Sequence, residues 1–143
     1  HAGNGLKNTD YYAYGQPVLA PVAGLVITVI DGIPENKPGH LNQLFLPGNC
    51  VVIDDGLGEY FALAHLQPNR AAVKVGDRVK VGQVIGYCGN SGNASEPHIH
   101  FQMQDGPDMA TAEGLPITFH HFLQNGKPVA SGIAAGQVTL QNQ

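Results

Sequence analysis

The sequence predicts an all-β domain, and two observations carry that expectation. Nineteen glycines and ten prolines divide 143 residues into short apolar runs at close intervals. No segment of helical length repeats apolar residues at i, i+3, i+4 and i+7. Strands this short are not stable as one open layer. The expected architecture is therefore a compact sandwich or partly open barrel of short antiparallel strands, a hybrid of the two, with long loops lining a groove.

The elements follow in chain order. Apolar runs bounded by Gly, Pro, Asn or Asp predict strands at 17–19, 24–30, 50–54, 60–66, 84–87 and 99–104. The last of these begins just after Pro97, which favours an extended start. A late hairpin is expected in "LQNGKPV", where Asn125-Gly126 supplies the tight turn. The connection from Asp31 to Asn49 is unusually long and carries Pro34, Pro38 and Pro47, yet includes apolar Leu41, Leu44, Phe45 and Leu46. It is expected to lie against the body of the domain and wall a groove. "DGPDMATAEGLP" forms a second long connection. By length, residues 1–143 read as a single domain, with 1–14 an N-terminal loop or insertion, 15–104 the core, and 105–143 a C-terminal extension containing the hairpin.

Composition narrows the function classes. Charged residues make up 13% of the chain, the net charge is −4, and no basic run occurs, so nucleic acid and anionic membranes are not expected partners. No stretch approaches the roughly 20 apolar residues of a membrane helix, and "HAGNGLKNTD" has no apolar signal-peptide core. Cys50 and Cys88 are too few for a disulfide framework and not spaced as a zinc ribbon; each reads as a small buried hydrophobe, and pairing between them stays open.

"VKVGDRVKVGQ" places turn glycines at Gly76 and Gly82. The pattern resembles the hammerhead turn of biotinyl and lipoyl carrier domains, but those carriers present a lysine at a hairpin tip, whereas Lys74 and Lys80 lie beside their glycines. What remains is structural: two places where the chain turns within a small β domain.

The histidines hold the chemistry. In a strand, alternate side chains share a face, so His98 and His100 of "PHIHF" point the same way, roughly 6–7 Å apart at the Cα atoms. They could serve one metal and its bound water, or simply belong to a polar face continued by Gln102 and Gln104. His65, near the end of the apolar "EYFALAHL" run, reads on its own as a core histidine. His40 reads as a solvated loop residue. His120 and His121 would alternate faces, one packing beside Phe119 and Phe122 and the other in water. Asn90 and Asn93 read as turn residues around Gly89 and Gly92.

Taken in order, "GQPVLAPVAGLV", "GNCVVIDDGLGEYFALAHL" and "VKVGDRVKVGQVIGYCGNSGNASEPHIHFQM" resemble the successive motifs of the lysostaphin-type zinc metallopeptidases, which cut peptide cross-links of bacterial cell walls. The resemblance runs from about Gly15 to Met103. It implies an extracytoplasmic zinc endopeptidase acting on peptidoglycan, with His100 as a zinc ligand and His65 and His98 as the catalytic pair beside the metal-bound water. Three protein ligands leave zinc an open tetrahedral position, and the metal lowers the pKa of bound water to about 7.

The first metal-binding element of that family, H-x-x-x-D, is not intact. The nearest upstream carboxylate is Asp10, the residue four before it is Leu6, and the one upstream histidine is His1. Either Asp10 and His1 ligate the metal from a loop, or the metal-binding strand lies N-terminal to this chain. The same gap motivates a second reading, a catalytically inactive relative that binds cell-wall peptides or regulates a partner hydrolase. A carrier or purely structural barrel is the third.

Overall fold

The computed structural model describes residues 1–133 and 140–142. Ten strands and one short 3-10 turn, Asn8–Asp10, make up its regular structure: β1 (Pro17–Leu19), β2 (Gly24–Ile30), β3 (Asn49–Asp54), β4 (Tyr60–Leu66), β5 (Arg78–Val79), β6 (Val84–Tyr87), β7 (His100–Gln104), β8 (Phe119–Gln124), β9 (Lys127–Gly132) and β10 (Leu140–Asn142). The chain divides into two compact units, His1–Glu113 and Gly114–Gln143.

In the first unit, five antiparallel strands form a sheet in the order β5-β2-β3-β4-β7, and β1 pairs with β6 in a separate ribbon. The sheet ends at β5 and β7, so no barrel closes among the described residues. One face of the sheet packs on the ribbon: Val26, Val51, Ile53, Leu63 and Leu66 meet Val18, Ala20, Ile85 and Cys88 in one apolar cluster. The strand period explains the division. Val51 and Ile53 enter that cluster, while Cys50 and Val52, between and beside them, turn to the opposite face and line a cleft. Nearly all of β3, the central strand of the sheet, is buried.

Two turns fall where the sequence placed them: Gly76 N–H donates to the Val26 carbonyl in β2, and Gly82 N–H, between β5 and β6, to the Ala20 carbonyl just after β1. The Asp31–Asn49 connection lies against the body of the unit as expected. Glu35 bridges to Ser91, and the Asn49 side chain both accepts from Ile33 N–H and donates to the Ile33 carbonyl, at 2.7 and 2.8 Å, imitating one more strand pair. The segment after β7 folds back on it, with Asp105 N–H donating to the Glu113 carbonyl and Glu113 N–H to the Asp105 carboxylate. These bonds carry the first unit to Glu113, beyond the end of β7.

In the second unit β8 lies between β10 and β9. Asn125 and Gly126 close the β8–β9 hairpin at φ 51° and 76°, the two left-handed residues that a type I′ turn requires. His120 and His121 are both exposed, whereas one was expected to pack. His121 stands at φ 52°, out of the extended conformation on which strict alternation depends, and Phe122 takes the buried position. Two strands were not expected from the sequence, β5 and β10, whose two and three residues are too few to display a period.

Candidate active site

The face of the sheet turned away from the core floors an open cleft of about 1120 Å³. Thr28, Ile30, Cys50, Val52 and Ala64 form its floor. Leu44–Gly48 make one wall, Pro107–Ala110 another, and His65, His98 and His100 gather at one end. Asp108 is the lone carboxylate among the described lining residues, and none of them is Lys or Arg. The cleft is therefore an apolar trough whose polar chemistry is concentrated in three imidazoles.

Each imidazole reaches the cleft for a different reason. His100 opens β7 and pairs with Ala64, which pairs in turn with Cys50, so the three share one face across three strands. His98, two residues earlier, falls on the same side. His65 should not: counted along β4 it belongs with Leu63, on the core face. The ladder slips at this point, with Cys50 opposite Ala64 but Asn49 opposite Leu66, which leaves His65 as the extra residue of a β-bulge. Its φ is 65°. A bulge re-aims the side chain it carries, and here it turns His65 from the core to the cleft. Its ring centroid lies 4.8 Å from that of His98 and 5.9 Å from that of His100.

The backbone fixes the tautomers. A carbonyl oxygen can only accept, so a ring nitrogen facing one must carry the proton. His65 Nδ1–H donates to the Ser91 carbonyl at 2.8 Å, and His98 Nδ1–H donates to that of Glu96 at 2.8 Å. In both neutral rings Nε2 is then the lone-pair atom. His100 faces the other way: its Nε2 is 3.1 Å from Gln102 Oε1 and donates to it, which leaves Nδ1 as the acceptor. Gln102 is held by Gln104, and Gln104 by the Gly106 carbonyl, so a ladder of amides along one face of β7 fixes the His100 ring.

Burial pushes the His65 pKa down to about 4, with the neighbouring His98 charge adding to the effect and the Ser91 carbonyl opposing it. His65 is thus neutral around pH 7. The linkage has a definite sign. The unfolded chain takes up this proton near the ordinary value of 6.5 and the folded chain only near 4, so stability is unaffected above pH 6.5 and falls as pH drops from 6.5 towards 4. Urea unfolding of the chain and of His65→Gln at matched pH values checks this: the variant should lack that part of the pH dependence.

Cys50 and Cys88 are both free and buried, as the sequence reading expected of small buried hydrophobes. Burial is the main cause that raises each thiol pKa to about 11. Neither should react with a thiol reagent at pH 8 while the protein is folded, and both should react in denaturant. Rapid labelling of Cys50 in native protein would show that the cleft floor opens to solvent.

The remaining expected site residues lie in the N-terminal loop. His1 packs its ring 5.4 Å from that of Tyr11 and donates from Nδ1 to the Gly3 carbonyl, and the Asp10 carboxylate accepts from Lys7 N–H. Neither lines the cleft. Among the described residues, no three His, Cys, Asp or Glu side chains are grouped so as to hold a metal ion. The donors present do not amount to a three-ligand zinc site. The cleft offers imidazoles, of which His100 has the free Nδ1, and no carboxylate grouped with them.

The first unit is thus an open antiparallel sheet with an apolar cleft and a cluster of three imidazoles at one end. Its affiliation is specific: residues 7–111 match peptidase family M23, and the chain belongs to that family. It is 43% identical over 126 residues to lysostaphin of Staphylococcus simulans, covering 87% of this chain and 22% of that protein. It is 63% identical over 52 residues to glycyl-glycine endopeptidase ALE-1 of Staphylococcus capitis, covering 36% of this chain and 14% of that one. Peptidoglycan DD-endopeptidase ShyC of Vibrio cholerae is 36% identical over 96 residues, covering 67% and 19%. Among solved structures, the catalytic domain of lysostaphin from Staphylococcus simulans superposes with a TM-score of 0.53 at 29% identity, covering 73% of this chain and 70% of that one. The chain thus spans only 14–22% of the length of these curated relatives.

Proposed function

We propose that this chain is the catalytic domain of an extracytoplasmic zinc endopeptidase that hydrolyses peptide cross-links of bacterial peptidoglycan. One observation carries the reading: His65, from a different strand, converges with the His98 and His100 pair at the end of a cleft of a size and polarity suited to an extended neutral peptide. The M23 affiliation and the endopeptidase relatives support the reaction class. In this proposal His100 is the zinc ligand from these residues, and His65 and His98 are the catalytic pair. Each of the pair offers Nε2 as a proton acceptor in its neutral form, fixed by its Nδ1–H bond to a backbone carbonyl.

The ligands that complete the metal site are either His1 and Asp10, drawn in from the N-terminal loop, or residues outside these 143. Elemental analysis of the purified chain separates the two. About one zinc per chain supports the first, and none after dialysis against zinc supports the second. The reaction itself is tested by incubating purified peptidoglycan with the zinc-supplemented protein and following release of soluble peptides. Activity abolished by chelation and by His98→Ala supports the proposal.

A second reading, an inactive relative that binds cell-wall peptides, draws on the lack of a grouped metal site among the described residues. It requires that peptidoglycan binding persist in His98→Ala with no peptide release from either protein. Among the described residues, no helix is long and apolar enough to cross a membrane.

A further inference from the structure

We propose that Ser91 is a positioning residue for His65: its buried hydroxyl fixes the peptide whose carbonyl selects the His65 tautomer and aims Nε2 into the cleft. The catalytic value of this arrangement rests on the role proposed for His65 above, but the arrangement itself does not.

His65 makes no use of its own strand at the bulge. Its N–H donates to the Pro47 carbonyl, its carbonyl accepts from Gly89 N–H, and its ring donates to the Ser91 carbonyl. Two loop segments, 47–49 and 89–91, therefore hold a residue in a left-handed conformation that its strand alone would not impose. Ser91 joins the two segments. Its Oγ accepts from Asn49 N–H at 2.9 Å and donates to the Leu66 carbonyl at 2.8 Å, with the whole residue buried. Asn49 completes the clamp by donating from Nδ2 to the same Leu66 carbonyl.

Without that hydroxyl, Asn49 N–H loses its acceptor and the Ser91 peptide loses its anchor to β4. The carbonyl that faces Nδ1 is then held less closely in place, by the Glu35–Ser91 bridge and the neighbouring loop contacts without the tie to β4. An imidazole without this acceptor has no reason to keep its proton on Nδ1, and Nε2, the atom the cleft would use as a base, carries it part of the time. The hydroxyl thus acts on the reaction through another residue and touches nothing in the cleft itself.

The test is long-range 1H–15N correlation of the 15N-histidine-labelled 143-residue chain, read at His65 without added metal. The wild type should show a protonated Nδ1 and an unprotonated Nε2. A wild-type His65 with its proton on Nε2 would overturn the proposal before any variant is made. Folded Ser91→Ala should shift both nitrogens towards a mixture of tautomers. If that variant does not fold, Ser91→Cys, whose thiol bonds more weakly, should shift them in the same direction by less. A folded variant with the wild-type pattern would also overturn it.

Turnover then separates this proposal from the one beneath it. With His65 catalytic, Ser91→Ala should lower kcat about tenfold with KM little changed. If His65→Ala keeps full activity while Ser91→Ala still moves the tautomer, the positioning stands and the catalytic role of His65 falls.

Discussion

Replacing His100 with alanine is expected to abolish zinc binding, whereas His65→Ala and His98→Ala should keep the metal and lose turnover by roughly 10²–10⁴-fold, the range typical of a lost general acid or base. The division follows from the rings. His100 is anchored through Nε2 by Gln102, which frees Nδ1 for a metal. His65 and His98 are anchored through Nδ1, which leaves Nε2 for a proton. Zinc content by elemental analysis and peptide release from peptidoglycan should therefore separate the variants into two groups. A His98→Ala protein that keeps wild-type turnover would sink the assignment of roles. The zinc arm applies to whichever form of the protein binds the metal, this chain or a longer one. A companion substitution, Gln102→Leu, should weaken zinc binding by about 10–100-fold, because partners of a ligand's second nitrogen orient the ring.

How much of this was legible in the sequence depended on whether the chain obeyed its local period. β1, β2, β4 and β6 were readable to the residue because Gly, Pro and Asp bracket each apolar run, and the Asn125-Gly126 turn announced its hairpin. His98 and His100 were also readable as a pair, since alternate residues of extended chain share a face, and this holds although His98 lies just before β7. His65 was not. Alternation puts it with Leu63 in the core, and only the slip opposite Asn49 and Cys50 turns it to the cleft. What pointed to it was resemblance to a family of peptidases, not any property of "FALAHLQP". Ser91 was hidden for a related reason: it reads as a turn residue in "GNSGN", and its importance lies in bonds to Asn49 and Leu66, 42 and 25 residues away. His1 and Asp10 were candidates because the resemblance calls for a His and an Asp upstream of Gly15, and their partners in the structure are Gly3, Tyr11 and Lys7.

The same loop contact predicts the largest change in stability. Gly92 stands at φ 75°, and a Cβ there would press on Gly48 N and lie 2.6 Å from the Phe45 carbonyl oxygen, both backbone atoms that no rotamer change can move. Gly92→Ala therefore combines the left-handed penalty of about 1–2 kcal/mol with an overpacking cost of about 1–3 kcal/mol, roughly 2–5 kcal/mol together. Gly58→Ala is the control. Gly58 also has a positive φ, 96°, but nothing lies within 4 Å of its Cβ position, so it should incur the backbone penalty with no packing cost. Urea unfolding of both variants isolates the contact between segments 45–48 and 91–92, and equal losses in the two would mean that the contact is loose in solution. A tight contact has a consequence beyond stability, because Pro47 and Ser91, on its two sides, hold the backbone and the ring of His65. Gly92→Ala protein that remains folded should therefore lose turnover along with stability, whereas Gly58→Ala should lose stability alone.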